Sequence, residues 1–394
     1  MLNSPLSPWP SFTEEEVSAV QKVLLSNKVN YWTGQECREF ETEFAAWVGT
    51  DYAVALANGT LALDAALKGL NVGAGHEVIT TSRTFLATAS SIVTSGATPV
   101  FADVDLNSQN ITAGSIEAAL TPKTKAVIVV HLAGMPAEMD EIMELAEKHD
   151  FYVIEDCAQA HGARYKGRSV GGIGHIGTWS FCQDKIMSTG GEGGMVTTND
   201  KELWSKMWSY KDHGKSWEAV YEQEHPPGFR WLHESFGTNW RLTEMQAAIG
   251  RIQLARMNGW KSLRQENSKI LDLACGKCEA LRLSATPDYI EHARYKYYVF
   301  VRPELLKDSW NRDRIVERIN EFGVPCFQGS CSEVYLEKAF DDTGFRPKIR
   351  LAAAKELGET SLMFLVHPTL TAEEIQKTAH TIVKVMREAA MVIG

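Results

Sequence analysis

From residue 52 onward, short apolar runs alternate with amphipathic stretches in a steady rhythm. Residues 52–57, 77–80, 99–103, 126–131 and 151–154 read as strands. Between them, residues 61–70, 87–95, 115–120 and 139–149 carry apolar positions at helical spacing. Apolar strands separated by amphipathic helices predict an α/β chain with a mostly parallel sheet covered on both faces. Ligands of such sheets sit at the carboxyl ends of the strands.

The flanks read differently. Residues 1–30 form a proline-rich lead-in and one helix over 14–26, with Ser11 and Thr13 as alternative N-caps. Acidic Glu14, Glu15 and Glu16 suit its first turn. A second helix carries Phe40, Phe44 and Trp47 at helical spacing. Residues 201–211 predict a helix and 212–237 a long polar loop rich in aromatics. A helix over 242–257 continues past Asn258-Gly259 to about residue 280. A strand over 297–301 and helices over 315–322 and 372–390 complete the pattern. The change of texture near residue 260 divides the chain into a larger part, 1–260, and a smaller α+β part, 261–394.

Composition narrows the options. A chain of 394 residues suits two domains, and its net charge of −10 argues against nucleic acid or an anionic membrane as the main partner. No apolar run is long enough to span a membrane, and the first residues lack a signal-peptide pattern. The seven cysteines are scattered, with Cys275 and Cys278 a lone CxxC and no second pair, so a cytoplasmic protein with reduced thiols and no metal site is expected.

The chemistry gathers around residues 178–195. There Ser180 and Lys185 lie five residues apart and a turn containing Gly190, Gly191, Gly193 and Gly194 follows. An ε-amine crowded by such a turn loses water, and a neutral amine forms a Schiff base with an aldehyde. Taken alone, Lys185 reads as an ordinary surface charge before it reads as a reactive amine. Asn58-Gly59-Thr60 lies between a strand and a helix, which offers either a phosphate site on backbone N–H groups or a simple N-cap turn. Asp156 sits just past a central strand, where a carboxylate needs a partner such as a protonated ring nitrogen, or else caps the next helix. Phe85 in Thr84-Phe85 is placed to stack on a planar ring or to join the core. Phosphate cradle, ring partner, stacking aromatic and reactive lysine are together what pyridoxal 5'-phosphate requires.

On these motifs, with Glu155-Asp156-Cys-Ala-Gln159, Gly191-Glu-Gly-Gly194 and Asn239-Trp-Arg-Leu-Thr-Glu-Met-Gln246, the chain resembles the DegT/DnrJ/EryC1/StrS sugar aminotransferases over nearly its whole length. The resemblance implies the fold type I architecture of pyridoxal-phosphate transferases: a mostly parallel seven-stranded sheet between helices and a smaller α+β C-terminal domain. It implies that Lys185 binds the cofactor aldehyde and Asp156 its ring nitrogen. Gln159 would bond the ring hydroxyl, Phe85 would cover the ring, and Gly59, Thr60 and Ser180 would hold the phosphate. Asn239 would reach the phosphate of a neighbouring subunit, which implies a homodimer with composite active sites. Two glycines before Glu192, Cys157, and Phe364-Leu-Val-His-Pro368 depart from the family pattern.

The reaction implied moves an amino group from L-glutamate to a keto or aldehyde sugar for surface polysaccharide or lipopolysaccharide synthesis. Relatives with histidine in place of the lysine are dehydratases, so Lys185 favours transamination. A sugar 3-dehydratase and a non-enzymatic cofactor-binding regulator are the other classes weighed. The regulator lacks the basic DNA-binding segment it would need. The expected sugar is nucleotide-linked. Arg83 is placed either to pair with a substrate carboxylate or to make a structural ion pair. The first reading admits an acidic sugar, 8-oxo-Kdo, and hence the transaminase that makes 8-amino-3,8-dideoxy-manno-octulosonate (Kdo8N).

Overall fold

The predicted rhythm becomes one twisted sheet. The computed structural model describes residues 6–391, so the first five residues of the lead-in lie outside it. Helices α1 (Glu14–Ser26) and α2 (Glu36–Val48) come first. Then β1 (Tyr52–Leu56), α3 (Gly59–Gly69), β2 (Glu77–Thr81), α4 (Leu86–Thr94), β3 (Thr98–Ala102), α5 (Ala113–Glu117), β4 (Thr124–Val130), α6 (Met139–His149) and β5 (Tyr152–Asp156) alternate. Short β6 (Arg164–Tyr165) and β7 (Arg168–Ser169) precede β8 (Ile176–Ser180) and β9 (Gly194–Thr198). The seven-stranded sheet runs β1-β9-β8-β5-β4-β2-β3. All its neighbours are parallel except β9, which is antiparallel to both β1 and β8.

Strands β8 and β9 escape the sequence pattern because Gly, Thr and Ser interrupt them, so that neither reads as an apolar run although every residue is buried. Asp156 is the last residue of β5, not a residue beyond it. At the start of the chain Thr13 is the N-cap, and it forms a capping box with Glu16.

Helix α7 (Lys201–Lys211) follows β9 as expected. The polar loop after it is not structureless. It contains α8 (Trp217–Tyr221), because Trp217 packs edge-on against Trp204 and Trp208 and gives one short turn an apolar face to bury. Beyond it, α9 (Glu244–Cys275) runs 32 residues without a break at Asn258-Gly259.

The second sheet is antiparallel and draws on the last third of the chain. It is formed by β10 (Leu281–Leu283), β12 (Tyr297–Val301), β13 (Cys326–Phe327) and β14 (Ser361–Phe364), in the order β10-β12-β14-β13. Strand β11 (Ile290–Glu291) instead pairs with β6. Helices α10 (Arg312–Glu321), α11 (Ala352–Thr360) and α12 (Ala372–Ala389) accompany this sheet. Alternation along β12 decides the architecture. Tyr297, Val299 and Val301 point into a core with α9, α10 and α12. Tyr298 and Phe300 point the other way, onto Val104, Val130 and Leu132 of the large-sheet side. The strand is therefore covered on both faces and seats the second sheet against the ends of the first. Among the described residues no helix is long and apolar enough to cross a membrane.

A buried contact ties the start of α2 to this frame. The N-cap position of α2, Gln35, makes no side-chain cap. The buried carboxylate of Glu244 accepts instead from the N–H groups of Glu36 (2.6 Å) and Cys37 (3.3 Å), at the positive end of α2. Glu244→Ala is expected to lower the unfolding free energy by about 2–3 kcal/mol, read from the denaturant midpoint, because two N–H groups lose a charged acceptor. Glu244→Gln should lose less.

Candidate active site

The carboxyl ends of β2, β4, β5 and β8 open onto a cavity of ≈ 710 Å³. One end is a cup of donors. Asn58 caps α3 by accepting from Leu61 N–H, at 2.9 Å. The N–H groups of Gly59 and Thr60, one turn too early for a helical partner, remain to face a ligand. Gly59 is required for contact reasons: a Cβ there would lie 2.5 Å from Ser180 Cβ. Ser180 Oγ accepts from Cys182 N–H at 3.4 Å, which leaves its own proton to donate.

Asp156 forms part of the cavity lining and is only 6% exposed. Its Oδ1 accepts from Ala158 N–H at 3.2 Å and its Oδ2 from Thr88 Oγ at 2.9 Å. Since Thr88 spends its proton there, Thr84 Oγ1 donates to Thr88 at 2.9 Å. Burial nevertheless pushes the Asp156 carboxyl above its ordinary range, against the pull of those bonds and of the Lys185 charge. A cation placed against it would reverse that. The next residue back, Glu155, is fully buried and accepts from His131 Nε2 and from the N–H groups of Gly171, Ile173 and Gly174. Burial would raise this carboxyl too, but these donors hold it below its ordinary value. The satisfied His131–Glu155 pair stiffens the strand end that presents Asp156.

Lys185, Gln159 and Phe85 line the same cavity. The Gln159 carboxamide oxygen accepts from Ala133 N–H at 2.9 Å, which leaves the NH₂ end as the donor. Phe85 is 70% exposed, free of the core. Lys185 Nζ lies 5.3 Å from the ring centre of Tyr295, whose hydroxyl donates to Asp184. The turn beyond it uses Gly190 and Gly191 at φ of +85° and +126°, values closed to most side chains.

Two candidate residues lie outside the lining of this chain's own cavity: Arg83, and Asn239, whose expected place is a neighbouring subunit's phosphate site. Asn239 is exposed, and its backbone bridges to Asp212 outside the cavity. Arg83 is fully buried behind the cavity wall. Its nitrogens donate to Gln109 Oε1 (3.1 Å), Ser332 Oγ (2.7 Å) and Ser361 Oγ (3.2 Å), and its guanidinium sits 5.6 Å from the Tyr298 ring. Among the described residues its hydrogen-bond partners are neutral oxygens, not carboxylates. The far wall, from Tyr295, Lys296, Tyr298, Ser330 and Met363, was not foreseen. Only the alternation Lys296-Tyr297-Tyr298 hinted that Lys296 and Tyr298 share a face. Thr88, one helical turn after Thr84, was likewise legible only by spacing.

The donor set fits pyridoxal phosphate. Unpartnered helix N–H groups and a serine hydroxyl suit a phosphate, a buried carboxylate suits a cationic ring nitrogen, and a lysine amine suits an aldehyde, all within one cavity. The model of the DegT/DnrJ/EryC1/StrS aminotransferase family matches residues 10–383. The solved structure of the aminotransferase from Psychrobacter cryohalolentis is 64% identical, covers 98% of this chain and 99% of its own, and superposes with a TM-score of 0.96. The GDP-perosamine synthase of Caulobacter vibrioides is 35% identical over 86% of this chain and 87% of its own. The UDP-N-acetyl-3-dehydro-alpha-D-glucosamine 3-aminotransferase of Acidithiobacillus ferrooxidans is 42% identical over 64% of each.

His161 and His367 are buried, and burial, with the Lys185 and Arg264 charges near His161 and the Arg264 and Lys296 charges near His367, holds each at about 3. Both fold neutral and charge on unfolding, so the unfolded chain binds protons first. Stability should therefore fall as pH drops from about 6.5 toward 3, by about 1.4 kcal/mol per pH unit per histidine. Urea midpoints against pH check this, and His161→Phe should flatten the slope. Separately, Gly59→Ala should weaken retention of pyridoxal phosphate at least tenfold, measured by cofactor titration of the apo-protein, because the added methyl fills the cup.

Proposed function

The chain belongs to the DegT/DnrJ/EryC1/StrS aminotransferase family, whose members depend on pyridoxal phosphate, and we propose that it transfers an amino group from L-glutamate to the carbonyl of a nucleotide-linked keto sugar. The observation that carries the reading is the placement of Lys185 in one cavity with both the Gly59–Thr60–Ser180 cup and Asp156. When bound, pyridoxal phosphate supplies an aldehyde that takes amines and a ring that accepts electrons while its nitrogen is protonated.

Each residue then has a task. Gly59 and Thr60 N–H and the Ser180 hydroxyl hold the phosphate. Asp156 holds a proton on the ring nitrogen. Thr88 and Ala158 keep the carboxylate aimed, and Thr84 keeps Thr88 aimed. The NH₂ of Gln159 orients the ring through its hydroxyl, and Phe85 shields one ring face. Lys185 Nζ takes up the proton from the α-carbon of the amino donor and later returns one, acting as base and then acid. The same exchange runs backward on the sugar carbonyl, so one cavity must admit both substrates in turn.

Nucleotide linkage is favoured because two relatives are named for UDP- and GDP-linked sugars. The acidic-sugar reading, with 8-oxo-Kdo as substrate, leaned on Arg83, and that guanidinium is already committed to neutral oxygens behind Tyr298. A homodimer is supported by exposed Asn239 and by Phe229, Trp231 and Phe236 beside it, which are 77%, 82% and 100% exposed. A second copy is the partner that would cover them and receive Asn239 at its phosphate cup.

Two measurements test the reading. L-glutamate should shift the absorbance of the cofactor-loaded protein, and a nucleotide-linked keto sugar should restore it. Sugar consumed with no response to glutamate would make the protein a dehydratase instead. Lys185→Ala should lower turnover by at least about 10³-fold while still binding cofactor, and Asp156→Asn by about 10²–10³-fold. Near-normal transamination by Lys185→Ala would remove the assignment.

A further inference from the structure

The segment just before α1 crosses the molecule to reach Lys185. Ser7 N–H and Oγ both donate to Glu374 Oε1, at 2.7 and 3.1 Å, at the start of α12. Thr369 Oγ1 donates to Pro8 C=O at 2.7 Å. From this anchored strap, Trp9 Nε1–H donates to the backbone carbonyl of Lys185 at 2.8 Å, across 176 residues of sequence. The Lys185 N–H already donates to Cys182 C=O at 3.0 Å. Both polar groups of the lysine's own backbone are therefore fixed, one by its turn and one by Trp9.

The indole is itself held on several sides. Trp260 of α9 meets it edge-on at 5.0 Å and 84°. His367 stacks on it at 6.0 Å and 20°. The buried Arg264 guanidinium lies 5.1 Å from its ring. A second cavity of ≈ 650 Å³ lies along the strap and shares Cys182, Asp184 and Lys296 with the first. Without the indole bond, the turn at 182–185 would have open space on its strap side.

We propose that Trp9 is a positioning residue for Lys185, and that the strap of residues 6–12 is a working part of the active site. The inference rests on the reading of Lys185 as the reactive amine. A lysine side chain has four rotatable carbons, so the precision of its amine is set by how firmly its backbone is held. The Tyr295 ring steadies the far end and Trp9 the near end.

The test uses the full chain. Trp9→Phe keeps a ring among Trp260, His367 and Arg264 but removes the N–H. Four quantities are compared with wild type: the melting temperature of the apo-protein, the rate at which apo-protein captures pyridoxal phosphate covalently (fixed by borohydride reduction), and kcat and KM for glutamate. Capture rate and kcat should each fall roughly fivefold, the worth of one hydrogen bond in a positioned group. KM should stay unchanged and the melting temperature should move by less than about 2 °C. Thr369→Val, which frees Pro8 and the Nδ1 of the His367 ring stacked on Trp9 but keeps the indole N–H, should move capture and kcat in the same direction by less. Wild-type capture and kcat in Trp9→Phe would overturn the proposal. So would losses accounted for by a lowered melting temperature in both variants. A Lys185→Ala control that captures cofactor as fast as wild type would instead remove the premise about Lys185.

Discussion

A carboxylate at the end of a buried strand is the constraint from which the site follows. Asp156 has little water to solvate its charge, and burial pushes its carboxyl upward. A charge in such a place persists only when neighbours answer it. The fold answers with the Thr84–Thr88 hydroxyl chain and the Ala158 N–H, and leaves one side facing the cavity. In the proposed function, a protonated ring nitrogen would complete that unfinished side. Neighbouring Glu155 shows the contrast: with four donors around it, it is complete and purely structural.

The rest of the architecture holds other groups at fixed distances from that carboxylate. Parallel strands place their carboxyl ends side by side, so residues far apart in sequence share one rim. The second sheet then closes the rim. Because β12 is buried on both faces, Tyr298 sits on the cavity while Tyr297 and Val299 sit in another core. Arg83 belongs to this closure. Its bonds to Ser332 and Ser361 tie the end of β2 to the second sheet, and its guanidinium backs the Tyr298 ring. A buried arginine satisfied by neutral oxygens is a cross-brace between the two sheets.

The sequence by itself determined the alternation of strands and helices, because helical and strand periods are local properties of the chain. It also singled out candidate site residues that the fold brings to one cavity. Asn58-Gly59-Thr60 and Asp156 lie at strand ends that the apolar pattern marks, whereas Ser180–Lys185 reaches the same cavity from the end of β8, a strand that pattern missed. The fully buried β8 and β9 were illegible because Gly, Thr and Ser interrupt them and leave no apolar run to be read.

Only the tertiary structure decided what meets Lys185 from outside its own neighbourhood. Trp9 arrives from 176 residues away and Tyr295 from 110 residues in the other direction, as the numbering of their contacts shows. The wall of Lys296, Tyr298 and Ser330 depends on how one sheet is set against the other. Arg83 looked like a ligand for anions and proved to be enclosed. An apolar or amphipathic pattern tells a residue to be inside; which partner it finds there is settled by the packing of distant elements, and that information is spread over the whole chain.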